Sequence, residues 1–192
     1  MPLDFELIDK SIAHSKKQIE LKDTTDSVDL FFVEDFLHPE LLQKLVGTIT
    51  SEPLEWKKVQ YQEYQNRLEV TWLPDSVIEE THIVLESLTE SIGNIWNGPR
   101  KFLGISIWQD QSPYSIRPHS DQSLIGYSLQ VYLNTNDKNL STQFQINDNI
   151  VGPKYQTNCG YLMNNDSKIL HWMLQDIPKN FTRYSLYAIW KD

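Results

Sequence analysis

The chain has 192 residues, 40% hydrophobic and 22% charged, which is the usage of one ordinary globular domain with room for a buried core. Its formal net charge of −9, from 17 basic and 26 acidic side chains, argues against a broad nucleic-acid footprint. No apolar run is long enough to cross a bilayer, the N-terminus lacks the apolar centre of a signal peptide, and the single Cys159 excludes an internal disulfide, so a reducing, cytoplasmic setting without membrane attachment is expected.

Residues 1–27 are polar and mixed in charge and read as a flexible or loosely packed arm. Residues 28–100 read as supporting strands and helices. Asp29 to Val33 has the character of a strand. Pro39 opens a helix that carries Leu41, Leu42, Leu45 and Val46 on one side. Leu54 to Thr71 reads as a pair of extended segments, on Trp56, Val59, Tyr61, Leu68 and Val70. Asp75 is expected to cap a long helix with Glu79 in its first turn, a stripe of Ile78, Leu85, Leu88, Ile92 and Ile95, and a stop at Asn97-Gly98-Pro99. From Phe102 onward short strands alternate with turns, which suits a barrel or jelly roll, and residues 101–192 would form most of it. One domain over 1–192 is therefore expected, mainly β with supporting α-helices.

The chemistry sits in this second half. His119-Ser120-Asp121 places a nitrogen and a carboxylate two residues apart, on one face if the segment is extended. Alone, His-x-Asp is a weak pattern. A third ligand could come from His14, His38, His82 or His171. His14 lies in the polar N-terminal stretch, His38 precedes a helix start and His82 falls in a helical pattern. His171 differs, because it sits in the short apolar run Ile169-Leu170-His171-Trp172-Met173. Two histidines and one carboxylate can hold one face of an Fe(II) ion and leave positions open for a co-substrate and oxygen.

Arg183 and Ser185 share a face of the strand-like run Arg183 to Trp190. The planar fork of arginine suits a carboxylate, and the serine hydroxyl adds a hydrogen bond. The plainer alternative for Arg183 is an edge-strand arginine paired with an acidic side chain. Over Tyr127 to Asn134, Ser128, Gln130, Tyr132 and Asn134 share one face, opposite Tyr127, Leu129, Val131 and Leu133. A polar face on a central strand is costly unless it lines a wet or ligand-filled cavity, where Tyr132 could meet the same carboxylate. The plainer alternative there is a strand side facing solvent. Cys159 reads as a buried or strand-end thiol, with no activating partner in view.

Pro118-His119-Ser120-Asp121, Tyr132-Leu133-Asn134, Val151-Gly152-Pro153-Lys154, His171 and Thr182-Arg183-Tyr184-Ser185, taken in order, resemble the Fe(II)/2-oxoglutarate-dependent dioxygenases, in particular their prolyl 4-hydroxylase-like branch. Val33-Glu34-Asp35-Phe36-Leu37 adds a weaker likeness. The resemblance implies a double-stranded β-helix (jelly-roll, cupin-like) core. It implies His119, Asp121 and His171 as metal ligands, with Arg183, Ser185 and Tyr132 on the far carboxylate of 2-oxoglutarate. It implies Fe(II), 2-oxoglutarate and O2 as cofactor and co-substrates, and admits ascorbate as an accessory. Related halogenases lack the carboxylate ligand so that chloride can bind, and Asp121 points instead to hydroxylation of an unactivated C–H bond with release of succinate and CO2.

Three departures stand out. Arg183 follows His171 by twelve residues, where the family usually spaces them by about nine or ten. Lys179, eight after His171, is the fallback anchor. The strand Thr142 to Ile146 lacks the paired glycines common in the family, and the tyrosine common upstream of His-x-Asp has no clear counterpart beyond the nearby Tyr114. A prolyl or other amino-acid side chain in a peptide is the first substrate reading, and a free amino acid or another small metabolite is the second. A jelly-roll module that binds metal without catalysis is the alternative from a different class. Oligomeric state is not legible in the sequence.

Overall fold

The computed structural model describes residues 2–20, 29–51, 53–59, 66–71, 73, 76–96, 101–121, 126–165 and 169–191. Among these described residues, four helices precede most of the sheet: α1 (Phe5–Glu20), α2 (Pro39–Ser51), α3 (Val77–Glu86) and α4 (Thr89–Ile95). The strands are β1 (Leu30–Val33), β2 (Lys57–Lys58), β3 (Arg67–Val70), β4 (Lys101–Gln111), β5 (Tyr127–Tyr132), β6 (Thr142–Ile146), β7 (Asn149–Val151), β8 (Gly160–Asn164), β9 (His171–Met173) and β10 (Thr182–Lys191). They form a seven-stranded sheet in the order β1-β8-β5-β10-β4-β3-β2 and a three-stranded sheet in the order β7-β6-β9. Every pairing is antiparallel. This is the expected jelly-roll-like core with supporting helices.

Period-two alternation gives the large sheet two unlike faces. Ile105, Ile107, Leu129, Val131, Leu162, Leu186 and Ala188 turn to the helices and join Leu41, Leu45, Ile78, Val84 and Leu85 in one buried cluster. Each Val, Leu or Ile side chain among them contributes about 1.5–3 kcal/mol by leaving water. The opposite face carries Ser128, Gln130, Tyr132, Tyr161, Arg183 and Ser185, all buried. It meets the small sheet, where Tyr132 Oη accepts from Thr142 N at 2.7 Å and the Phe144 and Tyr161 rings pack 4.8 Å apart. The polar face expected for β5 thus exists, and it looks into the space between the sheets, not into solvent. Where β8 crosses β5 the backbones touch: a Cβ on Gly160 would stand 1.8 Å from Gln130 O.

Two expectations need correction. Residues 5–20 are a packed helix, not a loose arm. The Asp4 carboxylate accepts from Leu7 N at 3.1 Å as an N-cap, and Leu7, Ile8, Ser11, Ser15 and Ile19 are buried. Two of the five buried positions are serines, so the apolar period is faint in sequence. Ser15 instead donates to Phe36 O at 2.9 Å. The single long helix is α3 and α4, broken at Ser87 and Leu88. Ser87 Oγ donates to Ile83 O and Thr89 Oγ1 to Glu86 O, side-chain bonds that compete with the helical ladder. The expected stripe is kept across the break, with Ile78, Leu85, Leu88 and Ile92 fully buried. The N-cap is Ser76, which accepts from Ile78 N. Asp75 and Asn97-Gly98-Pro99 lie outside the described residues.

No helix among the described residues is long and apolar enough to cross a membrane.

Candidate metal centre

His119 sits beside the small sheet and is tied to β9 by a reciprocal pair of backbone bonds with His171, at 3.1 and 2.8 Å. That bridge sets the two imidazoles 4.3 Å apart, centre to centre. Asp121, two residues on, points the same way. One oxygen lies 3.3 Å from His119 Nε2 and the other 3.6 Å from His171 Nε2. The ligand atoms of all three residues lie within 4.8 Å of one another, and this is the one such group of three among the described residues. Donors on one face of an octahedral ion stand about 3 Å apart, so a small contraction closes the set.

Protonation suits the same task. His119 Nδ1 lies 2.9 Å from Arg117 O, and His171 Nδ1 lies 3.3 Å from Ile169 O. A carbonyl can only accept, so each Nδ1 carries a hydrogen and each Nε2 is the ring nitrogen turned to the shared space. Burial pulls the His171 pKa below its ordinary value, against the pull of Asp121, which favours the neutral ring. Burial pushes the Asp121 carboxyl up, but the hydrogen bond with His119 and the nearby imidazoles outweigh it and leave the carboxylate favoured. A neutral His171 and an ionised Asp121 are the forms a divalent metal needs of them.

The other histidines stand apart from this group. His14 lies on α1 with Nε2 on Asp35 O, His38 precedes α2, and His82 lies on α3 against Phe102. Cys159 is buried just before β8, and burial raises its thiol pKa, as expected of an inert thiol.

Deeper between the sheets, β10 and β5 place Ser185 opposite Tyr132. Arg183 is fully buried, with its guanidinium 6.0 Å from the Tyr132 ring. Lys179, the other cation considered there, is exposed. Tyr132 accepts from Thr142 N, and burial raises its pKa, so its own hydrogen is kept for donation. Ser185 accepts from Gln130 Nε2 at 3.0 Å, and Tyr161 donates to Gln130 Oε1 at 2.9 Å.

Arg183 also realises part of its plainer alternative. It is paired with an acid, although on a central strand. Nε and Nη2 donate to Asp110 Oδ2 at 3.0 and 2.6 Å, and Nη1 donates to Leu140 O at 2.7 Å. Of its five N–H groups, two remain for a ligand among the described residues. Asp110 is shared with Arg67, whose Nε and Nη2 meet its two oxygens at 2.6 and 3.0 Å. Arg67 lies 3.8 Å over the Trp108 ring and 4.6 Å from that of Tyr114. Asp110, Arg67 and Leu140 are not among the site residues expected from sequence. A period-two reading of β3 and β4 shows only two more charged residues in strands, and nothing local tells that they pair.

Asp110 should dominate the acid stability of this region. Burial would raise its carboxyl pKa, but the charges and hydrogen bonds of Arg67 and Arg183 outweigh it and hold it below the usual range. A depressed folded pKa contributes stability above the unfolded value of about 3.9 and loses it as pH falls through the folded value. Asp110→Asn, which leaves buried guanidiniums without their acid, is expected to cost about 3–5 kcal/mol at pH 7. Urea titrations at several pH values should show the gap to wild type narrowing below about pH 4.

Neither a protein-family model nor a curated protein matches the chain by sequence. Solved structures do match it by shape. The chain has the jelly-roll fold of the 2-oxoglutarate/Fe(II) oxygenases, with prolyl hydroxylases among the similar structures. A prolyl-4-hydroxylase from Pseudomonas putida superposes with a TM-score of 0.71 at 12% identity, over 92% of this chain and 98% of that one. A prolyl hydroxylase from Trichoplax adhaerens, in complex with a hypoxia inducible factor peptide fragment, gives 0.63 at 11% identity, over 99% and 94%. HygX from Streptomyces hygroscopicus, with nickel, 2-oxoglutarate and hygromycin B bound, gives 0.64 at 11% identity, over 91% and 86%.

Proposed function

We propose that this chain is an Fe(II)- and 2-oxoglutarate-dependent dioxygenase that hydroxylates an unactivated C–H bond, with a peptide side chain, prolyl or other, as the first substrate reading. The convergence of His119, Asp121 and His171 on one point, with both Nδ1 atoms tied to backbone carbonyls and both Nε2 atoms turned inward, carries the proposal. The fold and the second donor cluster around Arg183 support it.

The donor set fits both groups. His119 Nε2, Asp121 and His171 Nε2 would hold the iron on one face and leave the remaining positions to co-substrate and oxygen. The two N–H groups left on Arg183 and the hydroxyl of Tyr132 would receive the far carboxylate of 2-oxoglutarate. Ser185, held by Gln130, would complete that end. With iron and 2-oxoglutarate bound, the centre supplies oxidative decarboxylation to succinate and CO2 and insertion of oxygen into the substrate C–H bond. The protein's part is to orient the keto acid between metal and arginine and to keep bulk water out. Burial of Tyr132, Arg183 and Ser185 serves the second purpose.

The similar structures include one with a peptide fragment and one with hygromycin B, so this fold accommodates both peptide and small-molecule ligands. Succinate release with Fe(II), 2-oxoglutarate and a panel of proline-containing peptides and free amino acids tests the proposal. Hydroxylated peptide with stoichiometric succinate is expected. Hydroxylation confined to a free metabolite would overturn the peptide reading, and no succinate from metal-loaded protein under any condition would overturn the enzyme reading.

A further inference from the structure

Arg67, Asp110 and Arg183 stand in direct register across three adjacent strands, β3, β4 and β10. All three side chains are essentially inaccessible, at 2%, 0% and 0% exposure. Burying two guanidiniums and a carboxylate is expensive, and apolar residues of similar volume often serve stability as well or better. Stability alone therefore gives no reason for the cluster.

The sharing of Asp110 is unequal. Arg67 grips both carboxylate oxygens, Nε on Oδ1 and Nη2 on Oδ2. Arg183 reaches only Oδ2, with Nε and Nη2 together. Oδ1 is thus held on the side of Arg67. The stack of Arg67 over Trp108 at 3.8 Å fixes the plane in which it is held. Two guanidiniums against one carboxylate leave the cluster an excess positive charge, buried where an incoming carboxylate would meet it. Without Arg67, the charge of Asp110 would fall on Arg183 alone and cancel the attraction of that guanidinium for a second carboxylate.

We propose that Arg67, acting through Asp110, is a positioning residue for the 2-oxoglutarate anchor: it holds both oxygens of Asp110, shares its charge and so leaves the positive charge of Arg183 available to the far carboxylate. This rests on the co-substrate reading given above. It assigns a role to a residue that lies 43 positions before Asp110.

The test compares two probes by calorimetric titration of Mn(II)-loaded protein. 2-Oxoglutarate has the far carboxylate, whereas oxalate chelates a metal similarly but lacks it. Arg67→Met is expected to weaken 2-oxoglutarate by about ten-fold, a usual size for a residue acting through a neighbour, and to leave oxalate unchanged. Arg67→Lys keeps the charge and much of the volume but loses the fork, so it should fold and weaken 2-oxoglutarate by about three-fold. Wild-type 2-oxoglutarate affinity in folded Arg67→Lys and Arg67→Met would overturn the proposal, as would equal weakening of both probes. If Arg67→Met does not fold, Arg67→Lys decides alone. Wild type that binds oxalate but not 2-oxoglutarate would instead overturn the co-substrate reading itself.

Discussion

Asp121→Ala is expected to abolish hydroxylation and to weaken metal binding by more than about 100-fold, beyond the 10–100-fold typical of losing an outer partner of a ligand. The reason is geometric. Asp121 spans the two imidazoles, with one oxygen 3.3 Å from His119 Nε2 and the other 3.6 Å from His171 Nε2. Without it, two neutral nitrogens remain, and no carboxylate charge stands against a divalent ion. The fold should survive, because the bridge between His119 and His171 is made of backbone bonds. Metal content after dialysis, read beside the thermal midpoint, separates ligand loss from unfolding. Full activity in this variant would sink the ligand assignment.

Arg183→Met is expected to raise the KM for 2-oxoglutarate by about 100-fold or more, the scale of losing one partner of a buried charged pair. Metal affinity should stay near wild type. The variant leaves Asp110 with Arg67, so the remaining carboxylate is still paired by both oxygens. Its effect should therefore appear in co-substrate binding more than in stability. Steady-state kinetics in 2-oxoglutarate, with metal binding measured separately, checks this. An unchanged KM would remove Arg183 from the pocket and return Lys179 to consideration, despite its exposure.

Legibility in the sequence followed the range of the interactions. His119 and Asp121 are two residues apart and share a strand-like face, so their common direction could be read locally. Tyr132 and Ser185 each lie in an alternating run, and alternation alone put them on polar faces that the sheet then brought opposite each other. The helix stripe from Ile78 to Ile92 was legible for the same reason, although its break at Ser87 depends on side-chain bonds that periodicity does not carry. The helix Phe5–Glu20 was missed because Ser11 and Ser15 occupy buried positions. The cluster of Arg67, Asp110 and Arg183 was missed because its members are 43 and 73 residues apart. Only strand order brings them together, and nothing in local composition encodes the neighbours β3, β4 and β10.

The central claim is that one site holds Fe(II) and 2-oxoglutarate together. An anaerobic titration of the protein with Fe(II) and 2-oxoglutarate tests it most directly, by the visible charge-transfer band of the chelated keto acid. A band in wild type that is lost in His171→Ala and needs far more 2-oxoglutarate in Arg183→Met is the result expected. No band from folded protein with confirmed metal loading would contradict the account and favour a metal-binding module without catalysis.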